Sequence, residues 1–223
     1  TYPVTETEGG GAVTIVWTLN PAAANPAIDP SIPAQWADFR GSTTNNGVTD
    51  VLLPTAAQDG TLYWANQLGV GFDSDAVGSP ILVDGDIITY AGDKIYRVDT
   101  VSGEVKVKAN MDHKSSFSIT PPVYADGMVF VALSGGTVQA FNAATLESLW
   151  IYTDKLGGQP NCPLKVKNGY LYTGFWNSET GYANFVCLSI TDEDPAQSKE
   201  SKCASWYYTS KGGFYWAGAY VAD

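Results

Sequence analysis

Charge is scarce in this chain, and positive charge most of all. Only 16% of the 223 residues are Asp, Glu, Lys or Arg, with 12 Lys and Arg against 23 Asp and Glu. The net charge of −11 leaves no basic stripe to meet a phosphate backbone, which excludes a nucleic-acid-binding role. An acidic, solvated surface follows instead, one that repels anionic lipid headgroups. There is one histidine, His113, in the stretch MDHKSSFS. A Ser/His/Asp triad needs a base that a carboxylate orients against a nucleophile, and neighbours within one loop seldom supply that geometry. The three cysteines, Cys162, Cys187 and Cys203, match no zinc-ligand spacing. No run of eighteen apolar residues occurs, so no helical membrane span is expected. No secretory leader is visible in TYPVTETEGGG either, which reads as a mature or trimmed start.

What the chain does have is strand-forming residues. Val, Ile, Thr, Tyr and Trp are frequent, aromatics make up 13%, and no convincing amphipathic helical stretch appears. Few charges and many aromatics suit an exported all-β protein, so a secreted or cell-surface location is expected. The strands come in a repeat. Apolar runs flank a two-residue turn at Asp84–Gly85, again at Asp126–Gly127, and again at Asn168–Gly169. The glycines Gly85, Gly127 and Gly169 are 42 residues apart each time. Asp–Gly and Asn–Gly between apolar runs are strong hairpin signals. A 42-residue period with about four short strands per unit is that of a β-propeller blade. Blades are expected over 79–110, 121–153 and 163–209, with an inner strand of a further blade beginning at 214–223. The third unit is wider: NSETGYAN separates its second and third strands, and a polar loop flanked by Cys187 and Cys203 separates its third and fourth. A hairpin there would set those two cysteines side by side as a disulfide, leaving Cys162 a buried thiol.

Ahead of the blades, Val13–Leu19 alternates like a strand, and four prolines between 20 and 33 dictate an extended linker or wrapping arm. Residues 1–34 are read as strand and arm, and 35–223 as propeller, with a leading strand at 61–67. Trp64, Trp150 and Trp206 fall at similar distances before successive turns and are expected to wedge between blades. Three blades, leading strands and a fragment do not close a ring. An open arc exposes sheet edges, which proteins avoid. A missing half is therefore expected, as a second chain cut from the same precursor or a second copy of this one.

These units resemble PQQ-like propeller repeats. The pattern P-x-x-x-D-G, a glycine turn, apolar-x-apolar-D and an outer Trp runs from Pro80 to Glu104 and from Pro122 to Trp150. The leader W-x-x-F-R-G, which is Trp36, Phe39, Arg40 and Gly41, resembles the segment that opens such propellers in secreted proteins of Gram-positive gut bacteria. The resemblance implies a ring of seven or eight four-stranded antiparallel blades, about half of it here. Quinoprotein dehydrogenases of this fold bind pyrroloquinoline quinone and calcium, with a disulfide between adjacent cysteines, a catalytic Asp and Glu/Asn ligands. This sequence has no adjacent cysteine pair and no segment onto which those residues carry over.

Function is therefore expected on loops, which carry ligands on a rigid scaffold. One propeller face collects 69–77, 111–120, 154–161, 175–182 and 209–215. These supply Asp73 and Asp75; His113 and Lys114; Lys155 and Gln159; Trp176, Asn177 and Tyr182; and Lys211 and Tyr215. Trp176 with Tyr182 suits a sugar ring. Asp73-Ser74-Asp75 and Asp192-Glu193-Asp194 lack the twelve-residue calcium loop, so no metal site is expected. The first reading is a non-catalytic exported binding or adhesion propeller for a glycan or protein, without cofactor. A quinoprotein-type dehydrogenase using pyrroloquinoline quinone and calcium is the second, and a structural surface or filament component the third.

Overall fold

The computed structural model describes residues 24–42, 44–50, 60–71, 76–115 and 120–222. The strands of the described residues fall into three sheets. The first holds β1 (Ala34–Trp36), β2 (Ile81–Val83), β3 (Asp86–Ala91), β4 (Lys94–Asp99) and β5 (Val105–Asn110), in that spatial order. The next four strands are β6 (Val123–Ala125), β7 (Met128–Leu133), β8 (Thr137–Asn142) and β9 (Ser148–Thr153), which form the second sheet. The third consists of β10 (Lys165–Lys167), β11 (Tyr170–Gly174) and β12 (Tyr182–Ser189), followed by β14 (Trp206–Lys211); the intervening β13 (Glu200–Lys202) lies elsewhere. The four core strands of each sheet pair antiparallel.

The expected turns take the geometry their residues dictate. Asp84, Asp126 and Asn168 sit at φ 52, 50 and 52, and the glycines that follow at 74, 79 and 78. Two successive left-handed residues make the hairpin turn whose twist matches that of the flanking strands, and Asp–Gly or Asn–Gly tolerates it best. Strand alternation then builds the core. Every residue of β7 is buried. Its odd positions, Val129, Val131 and Leu133, pack with Ile81, Ile88 and Tyr90 of the first sheet. Its even positions, Met128, Phe130 and Ala132, pack with Leu171, Val186 and Leu188 of the third. One middle blade thus supplies both inter-blade cores through the two-residue period.

Two polar features tie the blades together from outside those cores. Residues 24–33 run as an arm over the turn face: Tyr124 donates its hydroxyl hydrogen to the Ile32 carbonyl, Asp84 N donates to Pro33 O at 2.8 Å, and Asn142 Nδ2 donates to Ala27 O at 3.0 Å. From there the chain enters the inner side. β1 pairs with β2 of blade one. Ala37 O accepts from Tyr124 N of blade two at 2.8 Å. Asp38 meets Lys165 of blade three at 2.6 Å, both side chains under 5% exposed. This strap, residues 34–42, therefore crosses the inner strands of all three blades. It turns sharply at Phe39–Gly41, where the Asp38 carboxylate accepts from Phe39 N. Gly41 sits at φ +92 with its Cα against the Trp36 ring, where a Cβ would come within 3.1 Å. The W-x-x-F-R-G leader is the code for this strap.

The insertion of the third unit departs most from the sequence reading. β13 leaves its own blade and pairs parallel with β9, as Glu200↔Trp150 and Lys202↔Tyr152. Lys199 reaches Asp112 at 2.7 Å and secures the crossing. This overturns the expected Cys187–Cys203 disulfide: all three cysteines are free. Cys203 follows the displaced β13 and is exposed, whereas Cys187 is buried opposite Trp206 and Tyr172 in the ladder. Cys162 is buried, and desolvation pushes its thiol up to about 11.

The stretch 61–67 is no strand. Trp64 instead lies over the Gly103 turn and donates its indole N–H to Thr100 O at 3.0 Å. It is not the positional equivalent of Trp150, because no ladder places it on an outer strand. Residues 214–222 also form no strand, although Lys167 Nζ donates to Val221 O at 3.2 Å beside β10. Val13–Leu19 lies outside the described residues. Among the described residues no helix is long and apolar enough to cross a membrane.

A carboxylate–cation cluster bridges blades one and two at the turn face. Arg97 donates to Asp86 at 2.7 Å, to Asp84 at 3.1 Å and to Ala143 O at 3.1 Å. Lys106 contacts Asp86 at 2.7 Å and Asp99 at 2.8 Å. Burial raises the Asp86 carboxyl, but bonds from Lys106 and Arg97 outweigh it and leave it lowered. Lys106 and the amides of Ser102 and Val101 hold Asp99 well below the usual range. A carboxyl lowered by folding adds stability that is present above its unfolded value, 3.8, and is lost as pH falls through the folded one. The urea midpoint is expected to fall between pH 4 and pH 2. Asp86→Asn should lower the midpoint at pH 5 and flatten that fall; an unchanged slope would argue against the cluster's role.

Candidate recognition site

On the face opposite the arm, backbone hydrogen bonds stitch the loops together, both within a blade and between neighbours. Ser134 N donates to Lys114 O at 3.0 Å, Gly136 N to Gly158 O at 2.9 Å, and Phe214 N to Phe175 O at 2.9 Å. Gln159 and Trp176 exchange both of their backbone bonds, at 2.7 and 3.1 Å. That two-bond bridge joins the loop after blade two to the second-to-third strand loop of blade three. Asn177 then donates its amide to Leu156 O at 3.0 Å and to Tyr182 O at 2.8 Å. Gly213 passes so close to the Phe175 carbonyl and the Trp176 Cα that a Cβ would meet them at 2.7 and 3.1 Å.

These constraints bring Trp176 and Tyr215 to 4.8 Å between ring centroids at 33°, and Tyr215 and Trp216 to 4.5 Å at 56°. The three rings form a staircase, with Tyr215 40% and Trp216 53% exposed. Trp216 holds φ 63, a left-handed conformation unusual for a bulky residue and a pointer to function. It also lines a cleft of about 250 Å³ with Arg40, Asn45 and Lys165. The staircase therefore leads from the loop rim to the strap.

The structure gathers Gln159, Trp176, Asn177, Tyr182 and Tyr215 around blade three. Lys211 sits opposite Tyr182 at the end of the β12–β14 ladder. Lys155 turns away to the blade edge, where its ammonium lies 4.7 Å from the Tyr207 ring and donates to the hydroxyl at 3.1 Å. His113 and Lys114 lie on the connection after blade one, with the His113 ring beside Gly135. Asp73 and Asp75 lie outside the described residues. Trp216 and the Asp38–Lys165 pair were not singled out from sequence; only the aromatic density of FYWAG hints at the former. Burial raises the Asp38 carboxyl, and the hydrogen bond and charge of Lys165 only partly oppose it. Among the described residues no group of three His, Cys, Asp or Glu side chains could hold a metal ion.

The third blade also presents a partly open sheet face, on which Phe214 packs against Phe185 and Tyr208. Counting the ladders from Gly127 and Gly169 superposes Phe130 on Tyr172, Trp150 on Trp206, and Tyr152 on Tyr208. In blade two these positions are at most 6% exposed, covered by blade three. In blade three Trp206 is 48% and Tyr208 64% exposed.

Antiparallel four-stranded blades, stacked face to face around short inner strands, define a β-propeller segment. Residues 49–185 match the family model described as outer membrane protein assembly factor BamB. That match spans more than half of the chain, which therefore belongs to this family of PQQ-like repeats. No curated protein matches it in sequence. Among solved structures it is similar to the quinohemoprotein alcohol dehydrogenase of Comamonas testosteroni, with 18% identity and a TM-score of 0.60 over 80% of this chain and 27% of the enzyme. The alcohol dehydrogenase ADHIIG of Pseudomonas putida HK5 gives 17% and 0.58 over 81% and 27%. A europium-containing methanol dehydrogenase gives 16% and 0.53 over 81% and 33%. Identities this low establish the fold alone. The chain spans about a quarter to a third of the length of those enzymes.

Proposed function

We propose that this chain is the blade-bearing part of an exported, non-catalytic recognition propeller, and that it holds a glycan on the Trp176–Tyr215–Trp216 staircase. The observation that carries the reading is the staircase itself: three partly exposed rings in contact, fixed by a two-bond backbone bridge. Sugar rings present C–H faces that pack on such aromatic surfaces, and adjacent amides such as Asn177 read hydroxyls. The scarcity of charge and richness in aromatics support export. Further blades are proposed to dock on the face bearing Trp206 and Tyr208, whether from a second chain or a second copy, because the matching face of blade two is covered.

Binding to a glycan array followed by calorimetry tests the reading. Trp176→Ala is expected to weaken the selected oligosaccharide at least tenfold, about 1.4 kcal/mol, with thermal stability unchanged. Failure to bind any glycan, or equal binding by the variant, would remove the staircase as the site.

A second reading, part of a quinoprotein-type dehydrogenase, is favoured by the likeness to two alcohol dehydrogenases and a methanol dehydrogenase. The described residues do not fit a quinone with calcium. They place no three His, Cys, Asp or Glu side chains where a metal ion could be held and offer no adjacent thiols, and Lys165 is engaged by Asp38, Ser42 and Asn45. Dye reduction by the chain supplied with alcohol, pyrroloquinoline quinone and calcium would favour the enzyme reading over the binding one.

A further inference from the structure

The three blades treat their outer edges differently. β5 presents Lys106 and Lys108, the charged side chains that deter strand addition at an open edge. β9 is covered by β13. β14 has no covering strand and its one charged residue, Lys211, comes at its far end: its sequence begins Trp-Tyr-Tyr-Thr, all exposed, and among the described residues no strand lies beyond it.

β9 and β14 hold the same ladder position, so β13 shows what this edge geometry accepts. The added strand runs parallel, with Lys202 opposite Tyr152. Its ammonium lies 5.2 Å from the Trp150 ring, within the range of a cation–π contact. On β14 the equivalent ring, Trp206, is 48% exposed, and the chain as a whole carries −11, which draws cations. We propose that β14 is a docking edge for an extended basic segment of a partner polypeptide, laid parallel to the strand with a lysine or arginine over Trp206. Backbone bonds supply the affinity and the cation sets the register. This site is independent of the aromatic staircase.

The probe is a synthetic peptide of residues 197–204, QSKESKCA, carrying Cys203→Ser, titrated into the full chain and followed by NMR. Saturable shifts centred on β14 are expected, with affinity falling at least tenfold for Lys202→Ala in the peptide or Trp206→Ala in the chain. Because Trp206 is half exposed, that chain variant should remain folded. N-methylation of alternate peptide amides should abolish binding. A peptide that does not bind, or that binds equally well when N-methylated, overturns strand addition. A chain that pairs with its own copy through β14 in place of the peptide overturns the basic partner.

Discussion

Asp38→Ala is expected to lower the unfolding free energy by about 3–5 kcal/mol, the cost of stranding a buried charge. Lys165 is 4% exposed at its side chain and would keep only Ser42 O and the Asn45 side chain, at 3.2 and 3.0 Å. Neither carries charge. The intact pair is a different matter, since taking both ions from water offsets most of their attraction. Asp38→Leu combined with Lys165→Met should therefore recover most of what the single change loses. Urea unfolding of the single and double variants measures both quantities. A single variant as stable as the parent would mean that the strap is not held at blade three.

Trp150→Ala should cost about 3–5 kcal/mol, while Trp206→Ala should cost about 1 kcal/mol or less. The two residues occupy one ladder position, so the contrast isolates burial from residue type. Trp150 is fully buried, 5.6 Å from the Phe130 ring, and donates its indole N–H to Ile190 O at 3.2 Å. Trp206 is half exposed, with its ring centroid 6.2 Å from that of Tyr172 and 6.3 Å from that of Phe185. Thermal melts of the two variants check the difference. Equal losses would show that the third blade's face is already covered in solution.

The blades were legible because local chemistry specifies them. Asp–Gly and Asn–Gly turns demand left-handed φ whatever surrounds them, and the apolar alternation on either side fixes which face is buried. The strap was legible only as a resemblance. Its anchor is an aspartate paired with a lysine 127 residues away, and no local pattern announces such a contact. β13 escaped because Glu-Ser-Lys has no strand-forming character; it is a strand only because the β9 edge offers it a ladder. The cysteines follow from the same geometry: a simple hairpin would align Cys187 with Cys203, and the pairing of β13 with β9 pulls them apart. Trp64 has the spacing of Trp150 without its position, because equal counting along the chain places a residue only where a ladder carries it. At the loop face, sequence supplied the residues but not their grouping, because the Gln159–Trp176 bridge and the positive φ of Trp216 are tertiary facts.

The strap has a consequence for how the chain folds. A row of blades in contact only with their neighbours can form one unit at a time, each stable to its own degree. A segment bonded to all three cannot dock until the last of them exists, and closing so long a loop delays its reward. The strap therefore fastens late. Once fastened, it couples each blade to the other two, and the row of separable units is expected to unfold more nearly as one.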